Sequence, residues 1–262
     1  MTGQHETRAI IVPSIGVRSW RDDVVRLAQD YANRCGADLV VETEAPDMDA
    51  FPLPEMPDSP GRSHKRLYAC KSYFAWKHLT GDYGKVLVID DTCCISPDAP
   101  DIFARTPAGH VGYTTTGAAD ARRSFADIRR YVTRNGLPEI VYDEDLYMNS
   151  GVMVYDRAAA AALSPDAIVA ARSLLTSRFP HQSLSYYLLR AADLPMHRLD
   201  KKFNVVPAVG LDKEVRRDMT DIRAYVKPGV FIHHVTGMYR RRDLLIPQVC
   251  EVLEDQDVST GT

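Results

Sequence analysis

Residues 84–98, GKVLVIDDTCCISPD, set an unbroken apolar run directly against two adjacent acids, Asp90 and Asp91, followed by the hydroxyl of Thr92. Residues 85–89 are apolar or can bury an aliphatic stem, the mark of a strand covered on both faces, as in parallel sheets with helices on either side. The acids then fall at its carboxyl end. In open α/β sheets that edge borders the ligand crevice, because the loops diverge there and polar groups reach solvent or a ligand. The stretch therefore points to a layered α/β fold and raises the question of what its carboxylates hold.

The chain before it repeats the pattern. Residues 8–14 (RAIIVPS) read as a first buried strand, 21–34 as a helix with Val24, Leu27, Ala28, Tyr31 and Ala32 at helical spacing, and Gly36 as its end. A second strand follows over 38–42. The proline-rich stretch 43–61 reads as a loop within the domain, and 63–79 as a helix capped by Ser63. Such alternation predicts a mostly parallel sheet with right-handed crossovers. Further on, 110–114 reads as a short strand, 118–135 as a basic helix stopped by Gly136, and 147–155 (YMNSGVMVY) as a strand broken near its start. Ser164 and Pro165 open a helix expected to reach about Phe179, 183–192 continues helically, and 227–234 (KPGVFIHH) is a last apolar strand.

Composition excludes several classes. With 26% charged residues, 45% hydrophobic ones and a formal net charge of −3, the 262 residues carry no global basic excess that would argue for nucleic acid. No stretch approaches the roughly 18 apolar residues of a membrane span, and the amino-terminal MTGQHETRAIIVPSIGV has no signal-peptide pattern, so the expected location is cytoplasmic. Five cysteines, an odd number with no CxxC pair, suggest neither a disulfide framework nor a zinc site; Cys93 and Cys94 read as small packed residues beside the crevice.

Three strands end in polar clusters of different kinds: Asp90, Asp91 and Thr92; Asn149, Ser150 and Gly151; His233 and His234. If the strands lie side by side in one sheet, their carboxyl ends converge. Carboxylates with one imidazole suit Mg²⁺ or Mn²⁺ better than structural zinc, and such an ion at a crevice commonly grips a diphosphate. Taken singly, each cluster also fits a plainer role: a helix cap, a turn, or a packed histidine pair.

Taken in order, the motifs resemble the glycogenin-like, family 8 glycosyltransferases of GT-A fold. A lysine-bearing helix, CKSYFAWKHL with Lys71, precedes KVLVIDDTCCI; then come MNSGVMVY, HQSLSYYLL, FNVVP and finally His234, Gly237 and Arg240 as H-x-x-G with a cation beyond. The resemblance runs from about residue 8 to 242. It implies one α/β GT-A (Rossmann-like) domain over 1–262, a mostly parallel central sheet flanked by helices. Residues 8–115 would form a nucleotide-binding half, 116–242 an acceptor and sugar half, and 243–256 a carboxyl-terminal helix.

The resemblance also implies roles. Asp90 stands for the first aspartate of D-x-D, the second falls on Thr92, and Asp91 is its substitute; with His234 these would hold Mn²⁺ or Mg²⁺. Pro13, Ser14, Lys71, Asp90, Asp91, Asn149, Ser150, Gly151, Gly237 and Arg240 form the expected donor-binding set. Gln182, Asp90 and His181 form the expected catalytic set, with Gln182 near the reacting face and His181 where the family has an aspartate. The implied reaction moves a sugar from a nucleoside diphosphate sugar, a UDP sugar foremost, to a hydroxyl on a glycan, a small molecule or a modified nucleobase. The divalent ion and Arg240 would stabilise the leaving diphosphate.

Two other readings stand beside it. A nucleotidyltransferase that makes nucleotide sugars also uses metal-bound acids, though PSIGVRSW after the first strand is not a glycine-rich phosphate cradle. A non-catalytic nucleotide-sugar-binding module is the other. Clusters at Arg122, Arg123, Arg129, Arg130 and Arg134, and at Arg240, Arg241 and Arg242, read either as a polyanion-binding face or as solvated surface.

Overall fold

The computed structural model describes residues 6–46, 65–236 and 239–260, so most of the 43–61 loop, the Ser63 cap and Gly237 lie outside the described residues. In chain order the elements are β1 (Arg8–Pro13), α1 (Arg21–Cys35), β2 (Asp38–Glu42), α2 (Lys65–Thr80), β3 (Lys85–Ile89), β4 (Cys93–Ile95), β5 (Val111–Thr115) and α3 (Ala118–Arg134). They continue with β6 (Met148–Asp156), α4 (Pro165–Ala170), α5 (Pro180–Ala191), β7 (Met196–Arg198), α6 (Lys213–Arg217), β8 (Ile232–His234) and α7 (Arg242–Thr260).

Six strands form the central sheet in the order β2-β1-β3-β6-β5-β7. β1 runs parallel to β2 and β3, and β5 parallel to β7, while β6 runs antiparallel to both its neighbours, β3 and β5. β4 and β8 pair antiparallel in a separate two-stranded sheet. The polar clusters are therefore not three carboxyl ends in one sheet: β6 brings its amino-terminal end to the edge where β3 exits, and β8 arrives from the small sheet.

The buried strands supply both faces in alternation. Ala9, Ile11, Val86, Val88, Met153 and Tyr155 face one apolar cluster with Phe74, Leu79, Phe125 and Tyr186 from α2, α3 and α5. Ile10, Val12, Leu87, Ile89, Val152 and Val154 face the other, against Ala28, Tyr31 and Ala32 of α1. Each such side chain contributes about 1.5–3 kcal/mol on burial, so a slip of one residue would exchange the two faces wholesale. A third cluster seats Leu245, Ile246, Val249 and Leu253 of α7 on Val24 and Leu27 of α1 and Cys94 of β4.

Local chemistry sets the ends. Gly36 closes α1 at φ 60°, a left-handed conformation open to glycine at little cost, and Ala37 N donates to Ala32 O at 2.9 Å. Ser164 Oγ accepts from Ala167 N at 3.3 Å and caps α4, but that helix stops at Ala170 and not near Phe179. Beyond it a 3₁₀ turn runs over Arg172–Thr176, where Thr176 Oγ1 donates to Ser173 O at 2.7 Å and competes with the backbone for carbonyls. The last strand is likewise shorter than the apolar run 227–234, because Pro228 and Gly229 (φ 71°) spend its first residues on a turn. Among the described residues no helix is long and apolar enough to cross a membrane.

Candidate active site

Asp90 leaves β3 with its backbone still in the ladder: its N–H donates to Gly151 O at 2.9 Å, and its carbonyl accepts from Cys93 N at 3.0 Å in a turn. Its carboxylate faces two side chains distant in sequence. Oδ1 forms an ion pair with Lys71 Nζ from α2, and Oδ2 lies 3.2 Å from Nε2 of His234 at the end of β8. Lys71 Nζ also donates to Ser150 O at 3.4 Å. His234 is 3% exposed and Asp90 20%, so the imidazole forms a floor and the carboxylate borders solvent.

Electrostatics favours an ionised Asp90. Burial alone would oppose its charge, yet the Lys71 ammonium and the His234 imidazole outweigh it and hold the carboxyl well below the usual carboxylate range. Asp91 points elsewhere, towards the segment after β1, where its Oδ2 accepts from Ser14 Oγ at 3.1 Å and pairs with Arg18 Nε at 3.3 Å. Burial, then the neighbouring Asp90 charge, push the Asp91 carboxyl up.

The remaining expected residues are placed as follows. Ser14 is fully buried at the end of β1, beyond Pro13, and Arg21 Nε donates to its hydroxyl at 3.0 Å. Asn149 Oδ1 accepts from Gly151 N at 2.9 Å, folding the Asn-Ser-Gly turn onto itself. Thr92 is buried and its carbonyl accepts from Val235 N at 2.9 Å. His181 is buried, with Nε2 within hydrogen-bonding distance of Ser72 Oγ (3.2 Å) and Ser185 Oγ (3.1 Å). Burial, then the Lys71 charge, hold it well below the usual histidine value, so it is a neutral imidazole. Gln182 is buried beside the Tyr147 hydroxyl. Arg240 is exposed and pairs with Asp218 at 3.6 Å; none of its described contacts reaches Asp90.

Four participants escaped the sequence reading. Arg18 and Arg21 anchor the acidic loop and Ser14, and Trp20 Nε1 donates to Asp91 O at 2.7 Å. Asn204 Oδ1 lies 2.9 Å from His234 Nδ1 and orients the ring, because Val205 pairs with β8: His234 N donates to Val205 O at 2.8 Å. The FNVVP segment marked that place in the chain but gave Asn204 no task.

The expected cation ligands, Asp90, Asp91, Thr92 and His234, are not assembled around one point. Asp91 turns to Ser14 and Arg18, and among the described residues no three His, Cys, Asp or Glu side chains gather as a metal site. The stronger objection is Lys71. A divalent ion on Asp90 would lie beside the ammonium already there, and a double and a single charge about 4 Å apart repel by roughly 8 kcal/mol at an effective dielectric near 20. This donor set does not fit Mg²⁺ or Mn²⁺ unless Lys71 is displaced.

The six-stranded, mostly parallel sheet flanked by helices matches the GT-A glycosyltransferase fold. The chain superposes on a glycosyltransferase involved in the glycosylation of the major capsid of PBCV-1 with a TM-score of 0.52 at 12% identity, covering 95% of this chain and 99% of that one. It is similar to the galactosyltransferase LgtC in complex with donor and acceptor sugar analogues (TM-score 0.52, 14% identity, 94% and 95% covered). Mouse xyloside xylosyltransferase 1 gives 0.51 at 12% identity, with 87% and 97% covered. No family model matches the chain, and no curated protein matches it.

Proposed function

We propose that this protein is a glycosyltransferase that seats a nucleoside diphosphate sugar, a UDP sugar foremost, against the exit of β3 and transfers its sugar to an acceptor hydroxyl. The observation that carries the reading is the Asp90–Lys71–His234 cluster, built by three distant segments at the ligand edge of a GT-A sheet. In the reaction the anomeric C–O bond to the diphosphate breaks, its electron pair leaving with the phosphate oxygen. The acceptor oxygen forms the new bond and the leaving phosphate takes up its proton. The demand on the protein is to neutralise charge growing on the diphosphate, and preorganised cationic groups meet it. Gln182 and His181, in the first turn of α5, are proposed to face the sugar, His181 as a neutral imidazole.

For the acceptor, a glycan or small molecule is favoured over nucleic acid, because three of the five arginines of α3 are engaged locally. Arg122 pairs with Glu144, Arg130 with Asp127, and Arg129 lies over the Tyr142 ring. Thermal shift across a panel of nucleotide sugars, followed by detection of released nucleoside diphosphate, tests the proposal: one sugar should raise the melting temperature and turn over. Absence of both across the panel would overturn it. Pyrophosphate release from a nucleoside triphosphate would instead establish the nucleotidyltransferase, and binding without turnover the non-catalytic module.

A further inference from the structure

We infer that Lys71 takes the place of a divalent cation, so that donor binding and transfer proceed without metal; the inference rests on the reading just given. The two carboxylates of the crevice are each already matched by a side-chain cation, Asp90 by Lys71 and Asp91 by Arg18. Lys71 is part-buried, with 16% of its side chain exposed, and is held from two sides by the Asp90 carboxylate and the Ser150 carbonyl. It engages Asp90 Oδ1 while His234 faces Oδ2, so both carboxylate oxygens already have a partner, and an ion on Asp90 would have to take a part-buried ammonium from its carboxylate. The third position that could have completed an ion's ligand set is Thr92, whose neutral hydroxyl adds no charge to outweigh that cost.

The same arrangement offers a diphosphate what a metal would offer. Lys71 is a cation at the rim, it rotates about a flexible stem, and its three donors can be shared between Asp90 and a phosphate oxygen. Arg18, 36% exposed and paired with Asp91, gives a second cation with bidentate geometry. The guanidinium of Arg21, bound to Ser14 Oγ and Ser14 O, fixes the segment that carries Arg18. Asp90 then aims Lys71, and is a positioning residue, not a metal ligand.

The test uses the full chain. Free Mn²⁺ is followed by electron paramagnetic resonance as protein is added, and binding of UDP, GDP, ADP and TDP is measured by calorimetry in EDTA and in Mn²⁺. Expected are an undiminished Mn²⁺ signal and a nucleotide affinity that EDTA leaves unchanged. Lys71→Met should weaken that affinity by about tenfold or more, and Lys71→Arg should retain most of it. Stoichiometric uptake of Mn²⁺, or affinity lost on chelation, would overturn the inference while leaving the glycosyltransferase reading intact. No binding of any nucleotide in either buffer would overturn both. The wild-type measurements decide the matter even if Lys71→Met fails to fold.

Discussion

The Cβ that Gly151 lacks would lie 2.1 Å from Cε1 and 2.5 Å from Nδ1 of His234. The imidazole rests on bare backbone, which is how a side chain from the small sheet comes within reach of Asp90. Gly151→Ala should therefore push His234 out, cost about 1–3 kcal/mol by overpacking and weaken nucleotide binding. Thermal unfolding and calorimetry check this; unchanged values in both would show that the ring relaxes without consequence.

Asn204 orients that ring from its other side. Asn204→Ala should lower nucleotide affinity about two- to tenfold, the worth of one ordinary hydrogen bond, and cost about 1–3 kcal/mol of stability because the buried His234 Nδ1 loses its partner. The same variant should broaden or shift the His234 ring signals in NMR spectra, a change that a purely structural role elsewhere would not produce.

Acid should destabilise the protein through its buried neutral histidines. Burial lowers His233 to about 4, and its Nε2 accepts from Lys227 N at 3.3 Å. The unfolded chain takes up that proton near pH 6.5 and the folded chain only near 4. Stability from this group is thus complete above 6.5 and is lost as pH falls between the two, by about 3 kcal/mol. His181 adds in the same direction. Asp90 contributes later, since its depressed carboxyl begins to cost stability only below about pH 4. Urea midpoints from pH 7.5 to 4.5 should fall, and His233→Gln should flatten the slope.

Tyr31 ties α1 to the loop before β5, its hydroxyl donating to Pro100 O at 2.7 Å and accepting from Ile102 N at 2.9 Å. Tyr31→Phe leaves a buried N–H without a partner and should cost about 1–3 kcal/mol in urea unfolding. Nucleotide affinity should not change, because no contact of Tyr31 reaches the crevice.

The sheet was legible because β1, β3 and the GVMVY part of β6 are buried on both faces and so carry apolar runs. Polar punctuation then marked their ends, which is why Asp90, His234 and the Asn-Ser-Gly turn could be named together. Strand direction was not legible: an apolar run such as GVMVY reads alike both ways, so β6 was expected to bring the wrong end to the site. Arg18 was hidden because a loop arginine carries no periodic signal, Arg21 because a polar residue opening a helix reads as solvated surface, and Asn204 because its task depends on β8 pairing from thirty residues away. Arg240 shows the converse: its place in the chain suggested phosphate, while geometry gives it to Asp218.

Because β6 enters the sheet against its neighbours and β8 joins from outside, the crevice draws on residues 71, 90, 151, 204 and 234. A ribosome making this chain releases no competent pocket until the last of these has cleared the exit tunnel, long after the first strands can pair. Fragments ending just before His234 contain every strand of the central sheet yet should bind no nucleotide, and the finished protein should gain its ligand-binding capacity in a single late event.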